Sequence, residues 1–284
     1  MTVRVWAGFA GLCVLSGSGW LVEMFVPHVL SGLMRTAVHA VVIGVALLGN
    51  SHGGSWGEWR RIAGWSAVLL AVPGVLVVGA GGAVGSFTEV LIFTLVPVVV
   101  VLVMGSQGEF GLGEDGMAGL VPALIGMSGV ALLLPLPGSV SVVGWIWIAG
   151  LVVSAVGCGA AGCRLHELLR GVGVLRAAGV GCVATALVVG VFVRGGLGSV
   201  SLAGVLGEVG GMVLVEVPVV LLTVWMLREM SPVGFSARYV VVPVVTVLEG
   251  ILLLRPELNW VMAAGILLGV VGAWGLMRGS LVEG

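Results

Sequence analysis

Ten continuous apolar runs of about 20 residues dominate this sequence, and they leave few folds open. They cover approximately residues 5–25, 29–48, 62–80, 87–104, 117–135, 141–161, 174–193, 201–226, 233–254 and 258–277. A hydrocarbon core of ~30 Å needs about 20 apolar residues in a helix, at ~1.5 Å per residue. The runs do not alternate between apolar and polar, which excludes spanning β-strands. With 59% hydrophobic and 9% charged residues, the soluble two-domain reading that 284 residues would otherwise allow is excluded too. The expected fold is an all-α polytopic membrane protein with ten transmembrane helices. The first run follows Arg4 and resembles a secretory signal, but it lacks a small-x-small cleavage site and is read as a retained first helix.

The runs repeat in pairs. Pro97 and Pro243, each inside an apolar run, lie 146 residues apart, and Pro73 and Pro218 lie 145 apart. Gly126-Met-Ser128-Gly129 and Gly269-Val-Val-Gly272 are offset by 143, so the first copy carries a loop three residues longer. This predicts a duplicated five-helix unit, with the first repeat at 1–138 and the second at 139–284. Five is odd, so the two repeats must be inverted. Arginine placement gives the same frame. With the N-terminus cytoplasmic, Arg4, Arg60, Arg61, Arg164, Arg170, Arg176, Arg228 and Arg278 fall inside, and Arg194 and Arg255 outside. Both termini are then expected in the cytoplasm. The absence of Lys beside twelve Arg and fifty Gly fits a GC-rich bacterial gene, hence a bacterial inner membrane.

Ionisable residues inside such runs are costly and mark cavities or ion pairs. Eight stand out: Glu23, Arg35, His39, Glu89, Glu208, Glu216, Arg238 and Glu249. At helical rise Glu23 and Glu89 lie near outer ends, Glu216 and His39 near the middle, and Arg238 in the inner half. Arg238 and Glu249, three turns apart, are expected to line one wall at two depths. Glu216 matches Arg238 best by depth and is its expected counter-ion. Five Glu against two Arg leave an acid excess. Such an excess favours a held proton, with Glu249 or Glu216 as the exchanging group, and amine-bearing or cationic substrates. Pro73, Pro97, Pro218 and Pro243 each remove a backbone donor in mid-run and are candidate helix breaks. Cys13, Cys158, Cys163 and Cys182 have no metal-binding spacing and read as small packing residues.

The N-terminal segment from Trp20 to Val42 forms a hairpin, with Pro27 at the turn and Arg35 eight residues later. The segments around Pro97 and Pro243 each lead through a Glu-containing turn, at Glu114 and Glu257, into a Gly-rich run. In this order and spacing the chain resembles the drug/metabolite transporter superfamily, EamA-like ten-helix branch. The resemblance implies a central cavity lined by helices 1, 3, 4, 6, 8 and 9, with helices 5 and 10 peripheral. It also implies export of small metabolites or drugs by a secondary carrier that needs no cofactor, metal or nucleic acid; a homodimer stays open.

Other classes fit less well. Gly126-x-Ser128-Gly129 matches an intramembrane protease motif, but the only His downstream is His166, in a loop. The Gly79–Gly85 run joins two spans with no βαβ unit and reads as a tight turn, not a phosphate loop. A proton-independent facilitator is the nearest alternative, ahead of an intramembrane enzyme or a structural membrane protein.

Overall fold

Backbone amides surrounded by apolar side chains must be paired, and within one continuous segment only a helix pairs them all. The computed structural model describes residues 2–25, 29–49, 55–106, 114–134, 140–193, 201–255 and 259–279, and every regular element among them is helical. Among the described residues six helices are long and apolar enough to cross a membrane: Trp56–Ala80, Ser86–Ser106, Val142–Leu169, Val174–Phe192, Pro232–Leu254 and Trp260–Arg278. Leu202–Gly211 and Val213–Glu229 form a further candidate bent by 47°, and Val3–Gly17, Gly32–Leu48 and Gly119–Leu133 are shorter apolar helices. The chain is a multi-pass membrane protein.

Several apolar runs are not single helices. The first run breaks at Ser18, between α1 (Val3–Gly17) and α2 (Gly19–Glu23). Gly17-Ser18-Gly19 is a poor helix former and a usual place for a kink. After α3 (Gly32–Leu48), the third run comprises α4 (Trp56–Ser66), a π-helical turn at Ala67–Ala71, and α5 (Val72–Ala80). The π turn adds one residue just ahead of Pro73, whose ring cannot sit under an ordinary i−4 carbonyl. α5 ends at Gly81 and Gly82, both at positive φ, in the turn expected from the glycine run. The fourth run divides into α6 (Ser86–Phe93) and α7 (Val96–Ser106), with Pro97 in the first turn of α7. The ninth divides at Ala237 into α12 (Pro232–Ser236) and α13 (Arg238–Leu254), with Pro243 inside α13. The remaining helices are α8 (Glu114–Leu133), α9 (Val142–Leu169), α10 (Val174–Phe192), α11 (Leu202–Glu229, containing Pro218) and α14 (Trp260–Gly279).

Glycine sets the two most extensive helix interfaces, α8 with α14 and α3 with α10. A Cβ at Gly129 would collide with the Gly269 amide and lie 2.7 Å from the Gly265 carbonyl; one at Gly272 would collide with Gly126. Backbone therefore touches backbone along α8 and α14, which run antiparallel. Gly44 abuts Val183 and Gly179 abuts Leu48, so α3 and α10 run antiparallel as well. In lipid, where no hydrophobic force drives helices together, such close approach supplies the attraction through dispersion. Gly207, by contrast, has open space where a Cβ would stand.

Candidate functional site

A cavity of about 500 Å³ opens between α1, α5, α6 and α13. Its walls are mostly apolar, with Phe87, Phe93 and Val242 among them, and it is the described cavity that holds charge: Glu89 from α6 and Arg238 from α13. Glu89 sits in the first turn of α6, after the glycine turn, and Arg238 opens α13 at the Ala237 break. The start of α6 and the break in the ninth run thus bring these two side chains to one space. A larger cavity of about 640 Å³, bounded by α3, α5, α9 and α10, is lined by apolar residues and Ser31, and no ionisable side chain lines it among the described residues.

Arg238 is held by neutral groups. Its Nη2 donates to the Tyr239 hydroxyl at 3.0 Å and its Nη1 to Thr223 Oγ1 at 3.5 Å. The guanidinium carbon lies 4.2 Å from the Phe235 ring centre and 4.8 Å from that of Tyr239. Aromatic faces attract a guanidinium and fix its plane. Among the described residues no carboxylate reaches ion-pair distance of Arg238, and Glu89 likewise has no cationic partner. The expected Arg238–Glu216 pair is therefore corrected. Glu216 accepts a 2.9 Å contact from His39 Nδ1 of α3. Thr223, which Arg238 reaches, and Glu216 lie two turns apart on one face of α11, so about 10 Å along the helix axis, not its rotation, separates Glu216 from Arg238.

The other acids are engaged elsewhere. The Glu208 side chain is fully buried. One oxygen accepts the Val29 and Leu30 amides, each at 2.9 Å, and the other pairs with Arg35 Nε. Glu208 thus fastens the start of α3 to α11. Glu249 accepts from Ser18 Oγ and, at 3.1 Å, from Trp20 Nε1. It does not share the cavity wall with Arg238, contrary to expectation. α1 crosses α13 one turn below it, where Thr246 Oγ1 donates to Gly17 O at 3.2 Å and a Cβ on Gly17 would lie 2.8 Å from Val245. That crossing turns Glu249 onto the Ser18 break. The side chain of Glu23 lies outside the described residues, as do Pro27, Glu257 and Arg194.

Sequence reading missed several of these partners. Tyr239 is the only tyrosine in the chain and lies next to Arg238, a signal that was available. Ser18 and Trp20 gave none, because a helix break and a rotation bring them to Glu249. Cys158 is also more than packing. Its Sγ lies 3.8 Å from Leu69 O and 3.9 Å from Val68 O, the carbonyls that the π turn and Pro73 leave short of a donor. All four cysteines are buried, and among the described residues no group of three His, Cys, Asp or Glu could hold a metal.

No family model matches the chain, and no curated protein matches it. Solved structures do match. One crystal structure, described only as that of a protein, superposes with a TM-score of 0.74 at 17% identity, over 100% of this chain and 99% of that chain. At this identity the likeness establishes a shared fold across the whole length, and that fold is the conclusion the comparison supports.

Proposed function

We propose that the chain is a secondary transporter of small metabolites or drugs, with ten spans in two inverted five-helix repeats of the EamA-like drug/metabolite type. The observation that carries the reading is the charged cavity itself. It lies where interrupted helices from the two halves meet, and broken helices around a polar point in an apolar bundle are how carriers hold a substrate and rock about it.

The repeat reading draws support from reciprocal contacts. In the offset of 143, Gly126 corresponds to Gly269 and Gly129 to Gly272. Gly126 meets Gly272, and Gly129 meets Gly269, which is the pattern a two-fold axis imposes. A second reciprocal pair follows the offset of 146: Val245 packs on Gly17 of α1, and its counterpart Val99 packs on Gly159 of α9. These two crossings, on opposite sides of the midplane in the inverted frame, are the places where access would alternate.

Transport is tested by reconstituting the protein in liposomes and screening counterflow of amines, organic acids, amino acids and sugars. Absence of counterflow for every class, by protein shown to be folded, removes the transporter reading. Proton coupling is the second question. An imposed pH gradient should drive accumulation of an identified substrate, and Glu216→Gln or Glu249→Gln should abolish the drive while sparing counterflow. The facilitator reading is favoured by one observation: Glu208, Glu216 and Glu249 are all engaged outside the cavity. Equal accumulation with and without the gradient would establish it.

A further inference from the structure

Among the described residues lining the cavity, Arg238 is the one cation. Arg238 has five N–H donors, and its bonds to Tyr239 and Thr223 occupy two of them. Neither partner carries charge. An uncompensated cation inside an apolar bundle is expensive, and the cost falls when an anion enters. Stacking on Phe235 and Tyr239 holds the guanidinium plane still, so its remaining fork is presented as a fixed two-point donor. A carboxylate matches that fork in geometry and charge. Beyond Arg238 the space is apolar and aromatic, with Phe87, Phe93 and Val242. Helical rise puts Thr246, also on the wall, ~12 Å from Arg238 along α13. The cavity therefore takes an elongated molecule with its charge at one end.

We infer that the cavity binds a small amphipathic carboxylate, the carboxyl group on Arg238 and an apolar, preferably aromatic, body against Phe87 and Phe93. This rests on the transporter reading for its biological sense, but binding stands or falls separately. Glu89 is the one acid that shares the wall, so a cationic ligand held at Glu89 is the rival outcome.

Three probes of one shape separate these outcomes: hippurate, its neutral amide hippuramide, and the amine N-(2-aminoethyl)benzamide. Binding to the purified full-length protein in detergent is read by saturable change in tryptophan emission and by thermal stabilisation. The expected result is that hippurate binds at least tenfold more tightly than hippuramide. Arg238→Gln should remove this preference, and Arg238→Lys, a point charge without the fork, should keep part of it. If Arg238→Gln does not fold, the hippurate-to-hippuramide ratio on the wild-type protein decides alone. Equal binding of hippurate and hippuramide, no binding of hippurate, or tighter binding of the amine with loss in Glu89→Gln, overturns the inference. Counterflow of radiolabelled hippurate in liposomes is the second arm. Arg238-dependent binding without counterflow would sink the transporter reading and leave the carboxylate site standing. Counterflow of amines indifferent to Arg238 would do the reverse.

Discussion

Removing the Glu208 carboxylate should be the most damaging single change among the intramembrane acids. Glu208 is fully buried, and three donors converge on it: the Val29 amide, the Leu30 amide and Arg35 Nε. In Glu208→Ala the two amides lose their acceptor, at about 1–3 kcal/mol each if they stay dry. Breaking a buried ion pair from one side commonly costs ~3–5 kcal/mol. Polar contacts in membranes measure less, averaging ~0.6 kcal/mol, because the unfolded chain in lipid finds other partners. Taking ~1 kcal/mol for each amide and the membrane average of ~0.6 kcal/mol for the pair, the net loss should be at least ~2.5 kcal/mol. Arg35→Ala should cost less, because Glu208 keeps both amide donors and Arg35 is itself 18% exposed. Glu208→Gln, which can still accept from the amides, should fall between. The assay is reversible unfolding in mixed micelles by added denaturing detergent, followed by tryptophan emission, on the two single variants and the double variant. The double variant should lose less than the two singles together. A Glu208→Ala protein within ~1 kcal/mol of wild type, or an Arg35→Ala protein less stable than it, would refute the reasoning.

The other expectations are simpler to read. Gly129→Val should force α8 away from α14, because its Cβ meets the backbone of Gly265 and Gly269; a loss of ~2 kcal/mol or more is expected by unfolding, while Gly207→Ala, in open space, should be neutral or slightly stabilising. Cys158→Ala should destabilise by about 1 kcal/mol and Cys158→Ser should restore most of it, since a hydroxyl can donate to Val68 and Leu69 in its place. Reporter fusions after Val140 and after Gly171 should lie on opposite sides of the membrane, because one apolar helix, α9, separates them; the same side for both would remove the inverted arrangement.

The helical class, the membrane and the residues worth watching were legible because burial in lipid restricts composition so tightly. A run such as 174–193 cannot be anything but helix, and Arg238 could not be in such a run without a reason. What the runs could not supply was exact depth and which helices are neighbours. Arg238 reaches Thr223, two turns along the same face of α11 from Glu216, which leaves Glu216 level with His39 on α3. Breaks were half legible. Prolines marked four disturbed runs, yet the π turn precedes Pro73, and the division at Ala237 lies six residues before Pro243. Ser18 needed no proline at all. Backbone relief is taken where neighbouring side chains can serve the freed groups, as Cys158 does at Leu69, and that is a tertiary fact.

The glycine contact between α8 and α14 also fixes a timetable. Gly129 and Gly269 are separated by 140 residues. At a synthesis rate of ~5–20 residues per second, α8 therefore enters the bilayer on the order of ten seconds before its partner exists. α3 waits a similar time for α10. During that interval the first half holds glycine surfaces to lipid, which is tolerable because the backbone is already paired within each helix and glycine exposes nothing that lipid must solvate. The nascent first half should accordingly be inserted yet loosely assembled, open to protease at its loops and to capture by other small-residue helices, until α10 closes the first seam and α14 the second.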